Sequence, residues 1–107
     1  MPRIYKGVRG PFGAHVIGME GETLWNLRRR TDLRNHSPTG LEWGYSGSCP
    51  AQCALALLAD ATGDDALALE LYQEFKAEII AHLPGEWSLT QEKILEWVKE
   101  RATGVQH

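Results

Sequence analysis

Pro50-Ala51-Gln52-Cys53-Ala54-Leu55-Ala56-Leu57-Leu58-Ala59-Asp60-Ala61 is the stretch on which the fold turns. Pro opens it, and a first helical turn tolerates Pro because its missing N–H would have no intrahelical partner anyway. Ser48 or Cys49 is the expected N-cap, and Gly63 is the expected stop. Residues 53–59 are apolar on every side of a 3.6-residue helix, with no polar stripe left for water. A helix of that kind sits in the middle of a domain and is surrounded. The rest of the chain must therefore supply its cover.

Downstream, Asp64 or Asp65 caps a longer helix expected to end near Leu83, before Pro84-Gly85. Ala68, Leu71, Tyr72, Phe75 and Ile79 give it a core stripe at helical spacing. A third helix is expected from Ser88 or Thr90, with Ser88 and Gln91 spaced as a capping box and Ile94, Trp97 and Val98 on its buried side. Upstream, Ile4, Lys6 and Val8 alternate with Tyr5, Gly7 and Arg9, and Gly10-Pro11-Phe12-Gly13 is turn chemistry. Ala14–Met19 is a second strand. Glu20-Gly21 can close a hairpin onto Glu22–Trp25, although Glu22–Arg30 also reads as helix. The expected fold is α+β: a small N-terminal antiparallel β-meander packed on three C-terminal α-helices. It forms a single domain, with the meander in residues 1–30, a Gly/Pro-rich connection in 31–49 and the helices in 50–102.

Composition agrees with one globular domain: 107 residues, 43% hydrophobic and 23% charged. No window approaches the about 20 apolar residues of a membrane span. The start, Met1 to Gly7, lacks the apolar run of a secretory signal. Two cysteines are too few for a disulfide framework, so a cytoplasmic setting is expected. The net charge of −3 conceals an asymmetry. Residues 1–50 carry seven Lys and Arg against four acids, and residues 51–107 carry four against ten. Such a balance does not suit a general nucleic-acid binder.

The string Asp32-Leu33-Arg34-Asn35-His36-Ser37-Pro38-Thr39-Gly40-Leu41-Glu42-Trp43-Gly44-Tyr45-Ser46-Gly47-Ser48 is distinctive. With Pro50-Ala51-Gln52, Tyr72-Gln73-Glu74-Phe75-Lys76, Leu83-Pro84 and Trp87-Ser88-Leu89-Thr90, it resembles an uncharacterised domain family of bacteria and their phages. Cys49 stands where that family usually has Gly, and Cys53 where it usually has Leu. The resemblance brings no established activity. It implies a phage or mobile-element context, in which small proteins often inhibit host machinery.

Several groups of residues are candidates for chemistry. Gly44, Ser46, Gly47 and Ser48 run into a helix N-terminus, whose partial positive charge and free N–H groups attract phosphate or carboxylate. Arg34 and His36 lie upstream, and Trp43 or Tyr45 could stack on a base. No P-loop Lys is present, and a capped loop with Trp43 and Tyr45 in the core explains the same residues. Cys49 and Cys53 share a helix face. With His36 as base, Cys49 would be a nucleophile, but two cysteines make only half a zinc site and small buried thiols are common. Neither an enzyme nor a metal or other cofactor is expected. His15, His82 and His107 have no partner visible in sequence. Arg28, Arg29 and Arg30 could touch nucleic-acid phosphates, though a solvated face explains them as well.

The acidic half is the odder feature. Glu70, Glu74 and Glu78 recur every four residues on the second helix, as do Glu92, Glu96 and Glu100 on the third. Like charges at that spacing each cost about 0.2–0.5 kcal/mol. Lys93 and Lys99 relieve Glu96, whereas Lys76 cannot face Glu74 or Glu78. An unrelieved column suits docking onto a basic protein partner, and a solvated face is the plain alternative. The leading expectation is a non-enzymatic protein-interaction module, an inhibitor of a host defence or nucleic-acid machine in the manner of anti-CRISPR proteins. The alternatives are a small-ligand binder at residues 44–50 and a weak nucleic-acid contact through Arg28–Arg30.

Overall fold

The structure is a computed structural model and describes residues 2–11, 13–37 and 40–104. Phe12 of the expected first turn, Pro38 and Thr39 of the connection, Met1 and His107 lie outside these residues. The chain is α+β. Strands β1 (Arg3–Gly10), β2 (Gly13–Glu20) and β3 (Thr23–Asn26) form an antiparallel meander. Helices α1 (Ser48–Thr62) and α2 (Asp65–Glu78) follow, then strand β4 (Trp87–Thr90) and helix α3 (Gln91–Gly104). β4 returns to pair with β1, so the sheet order is β3-β2-β1-β4.

As its apolar circumference demands, α1 is the core: Pro50 to Ala59 are all buried. Tyr5, Val16, Leu41, Trp43, Ala68, Phe75, Ile80, Trp87 and Ile94 belong to the same buried cluster. The helix begins at Ser48, two residues before Pro50, with Gly47 rather than Ser48 or Cys49 at the N-cap and no side-chain cap. Gly63, in the left-handed region at φ 67°, ends it as expected. Asp64 caps α2 by accepting from Leu67 N at 3.0 Å. That helix stops at Glu78 rather than near Leu83. A 3-10 turn, Ile80–His82, takes over because Ile80 must enter the core, where its carbonyl accepts from Gly44 N at 2.9 Å.

The fourth strand falls inside the segment expected to be purely helical. Trp87-Ser88-Leu89-Thr90 alternates inward and outward, and β1 opposite supplies the ladder. The Ser88–Gln91 capping box therefore does not form. Thr90 caps α3 instead, its Oγ1 accepting from Lys93 N at 3.1 Å, while Gln91 donates to Ala61 O at 2.9 Å.

The two faces of the sheet differ sharply. On the inner face one row across the strands is Leu89–Tyr5–Gly18–Trp25 and another is Trp87–Gly7–Val16. Each row lays an edge-strand indole flat over a central-strand glycine. A Cβ on Gly7 would lie 2.2 Å from Trp87 Nε1, and one on Gly18 would lie 2.2 Å from Trp25 Cε2. Only Gly permits that approach. Asp60, near the end of α1, then gathers the inner face: it accepts from Tyr5 OH at 2.6 Å, Arg3 at 3.0 Å and Trp25 Nε1 at 3.2 Å. Burial raises the Tyr5 phenol above its ordinary value, with the bond to Asp60 adding to the effect.

The outer face carries the rows Thr90–Ile4–Met19–Leu24 and Ser88–Lys6–Ile17–Asn26, with Val8 opposite His15. Its aliphatic residues belong neither to the buried core nor to the residues packed against it. No helix among the described residues is long and apolar enough to cross a membrane.

Gly18→Ala should destabilise the fold by about 1–3 kcal/mol through overpacking beneath Trp25. Chemical denaturation would register this as a lower midpoint, and an unchanged midpoint would show that the indole is free to lift.

Candidate functional site

The Gly-rich junction is held mainly by Gln52. Its side chain is completely buried inside α1, where an amide must find partners or cost stability. Its Oε1 accepts from His36 N at 2.7 Å and Ser37 N at 3.1 Å, and its Nε2 donates to Arg29 O at 2.6 Å. One glutamine thus fastens residues 29–37 to the central helix. Sequence reasoning assigned Gln52 no role. A lone amide in an otherwise apolar helix was the available signal.

Trp43 is fully buried, so of the two rings that could stack on a base it is excluded. Its Nε1 donates to Gly85 O at 3.0 Å, its ring meets Trp87 edge-on, and the Arg9 guanidinium covers it at 4.8 Å. Gly44 spends its N–H on Ile80 O, away from the helix N-terminus. The loop carbonyl of Gly47 accepts from Ala51 N at 3.0 Å, the start of the helical ladder. Tyr45 is 49% exposed, and Gly44, Ser46 and Ser48 are also exposed. Arg34 is exposed as well, but the His36 ring turns to α2, where Nε2 and Tyr72 OH lie 2.6 Å apart. The residues expected to bind one ligand are therefore divided between core, solvent and α2.

The same division separates Cys49 from its expected base. The Sγ of Cys49 lies 2.7 Å from Ser37 Oγ. That partner is a neutral hydroxyl, which takes no thiol proton at neutral pH. Desolvation first, and then Cys49, raise the Tyr45 phenol above its ordinary value. Cys53 is wholly buried, and burial pushes its thiol up as well. Among the described residues no cluster of three or more His, Cys, Asp or Glu could hold a metal ion.

A cleft of about 470 Å³ does open beside Cys49, lined by His15, Asn26, Arg29 and Glu42 among others. It lies between the start of β2, the end of β3 and the chain around Gly40–Glu42. Its position differs from the cradle expected within residues 44–50.

The charged candidates are also rearranged. Arg30, with φ at 56°, bridges Asp65 at 2.8 and 3.0 Å and Asp32 at 3.1 Å. Its guanidinium holds both carboxyls below the usual carboxylate range. Arg28–Arg30 is thus not one solvated basic run: Arg28 is exposed, Arg29 lines the cleft and Arg30 is engaged within the fold. On α2 the acidic column is relieved after all, by α3. Arg101 pairs with Glu78 and lies 3.7 Å from Glu74, and Trp97 Nε1 donates to Glu78 at 3.2 Å. Glu70, Glu92, Glu96 and Glu100 are exposed.

These features define an α+β arrangement in which the Gly-rich junction is tied to the central helix and the outer sheet residues stand outside the core. The model of a family of unknown function, DUF6166, matches residues 5–100, and the chain belongs to that family. No curated protein and no solved structure matches the chain.

In the native protein one thiol should react with a small alkylating or disulfide reagent and one should not. Cys49 is half-buried beside the cleft and Cys53 is fully enclosed. Mass spectrometry should find label on Cys49 alone until denaturant is added; labelling of Cys53 at a similar rate would contradict the packing of α1.

Proposed function

We propose that the chain is a non-enzymatic protein-interaction module that works through the outer face of its sheet. One observation carries the reading. Ile4, Val8, Ile17, Met19 and Leu24 adjoin one another across three strands, and among the described residues none of them belongs to the core cluster or packs against it. Leu24 is 64% exposed. Contiguous apolar surface of this kind marks interaction sites on small proteins. The acidic helical face is the weaker surface, because Arg101 neutralises part of it internally. In the setting that the family resemblance implies, the concrete form is a phage or mobile-element accessory protein that inhibits a host defence or nucleic-acid machine.

The test compares variants in affinity capture from a lysate of the source organism. A protein retained by the wild type should be lost with Met19→Asp and Leu24→Asp and kept with Glu92→Gln plus Glu96→Gln. The reverse pattern would move the interaction to the helices.

A small anion or nucleotide in the cleft is the second reading, favoured by a concavity that has Arg29 and Cys49 in its lining. An occupant there should slow alkylation of Cys49. Rates unchanged by a panel of nucleotides and carboxylates at millimolar levels would remove this reading.

A further inference from the structure

We infer that the outer face of the sheet receives an amphipathic protein segment that carries a carboxylate within its apolar stripe, with Lys6 as the charge that selects it. The inference rests on the interaction reading above and adds the chemistry of the partner.

Its basis is the charge of the face. Lys6 stands on a central strand, flanked along β1 by Ile4 and Val8 and opposite Ile17 and Ser88. It is exposed, and no carboxylate among the described residues pairs with it. The outward positions of the four paired strands contain no Asp or Glu; their ionisable groups are Lys6 and His15. Of the acids that flank the strands, Glu20 faces inward onto Arg3 at 2.8 Å, Glu22 lies in the β2–β3 turn and the exposed Glu86 precedes β4; none of them pairs with Lys6. An apolar partner without a carboxylate would strip water from the Lys6 ammonium and return nothing. A carboxylate in the stripe answers that charge and fixes the register of docking.

The same inventory disfavours other occupants. A second copy placed face to face would bring Lys6 and His15 against a surface with no acid to receive them. A nucleic acid on a sheet stacks its bases on aromatic side chains. Tyr5, Trp25 and Trp87 are all turned to the inner face, and the outer face of the paired strands has no ring but the His15 imidazole.

The experiment selects a phage-displayed library of random linear peptides on the immobilised full chain. Parallel selections use Lys6→Glu and Leu24→Asp, both at exposed positions, with circular dichroism confirming that each variant is folded. The wild type should enrich peptides that combine apolar residues with Asp or Glu. Their synthetic forms should bind at least about tenfold more weakly to Lys6→Glu, as loss of a desolvated charge pair requires. The Lys6→Glu protein should enrich Lys- or Arg-bearing peptides instead. Peptides that need Leu24 but ignore Lys6 would overturn the acidic occupant and leave the docking face standing. No enrichment, or enrichment indifferent to Leu24, would overturn both. A dimer of the wild type in light scattering that Leu24→Asp dissolves would give the face to a second copy and also overturn the proposal.

Discussion

An apolar helix has no preferred rotation within an apolar surround, so something polar must fix how α1 sits. Gln52 and Asp60 do this, two turns apart on the same helix. Gln52 takes two backbone N–H groups and one carbonyl from the connecting chain, and Asp60 takes Tyr5, Arg3 and Trp25 from the sheet. The Asp60 carboxylate is partly withdrawn from water, and a cation with hydrogen bonds offsets that loss of hydration. Arg3 supplies the cation and also spans to Glu20 on the neighbouring strand. The helix therefore holds one rotation and one height against the sheet, and the Gly-indole pairs can close beneath it.

That arrangement decides what the outer face is made of. Tyr5, Trp25 and Trp87 are committed to Asp60 or to their glycines, which leaves aliphatic and small polar side chains, Lys6 and His15 for the outside. The fold also engages three of the seven Lys and Arg of residues 1–50 in ion pairs. Arg3 is paired with Asp60 and Glu20, Arg9 with Glu42, and Arg30 with Asp32 and Asp65. A polarity that is pronounced along the sequence is thus partly offset within the fold. Lys6 stands out because the outward positions around it carry no carboxylate.

Features that depend on one segment alone were readable before the structure. The absence of a polar stripe in residues 53–59 placed α1 at the centre, and Gly63 and Asp64 marked where one helix ends and the next begins. Features that depend on a distant partner were not. Trp87-Ser88-Leu89-Thr90 is too short to announce a strand; it becomes one because β1, some eighty residues away, offers a ladder and Gly7 offers a floor for the indole. The Glu70–Glu74–Glu78 column reads as uncompensated within its own helix, but its cation comes from Arg101 on another. His36 and Cys49 look like partners in a linear string, yet Tyr72 and Ser37 claim them separately. The cleft beside Cys49 was hidden for the same reason, since its walls come from β2, β3 and the connection together.

The sheet offers a partner two approaches, and its geometry favours one. Both edge strands, β3 and β4, are only four residues long, half the length of the central pair. Short edges give few backbone groups to an added strand and are a common protection against edge-to-edge pairing. The face presents side chains from both long strands at once. Recognition through backbone hydrogen bonds is largely indifferent to sequence, whereas recognition through side chains depends on what each of them demands. On the interaction proposed above, the aliphatic residues accept almost any apolar surface of suitable shape, and Lys6 discriminates among them. Specificity then has two sources, the penalty on partners that leave the ammonium unanswered and the attraction of a carboxylate that answers it.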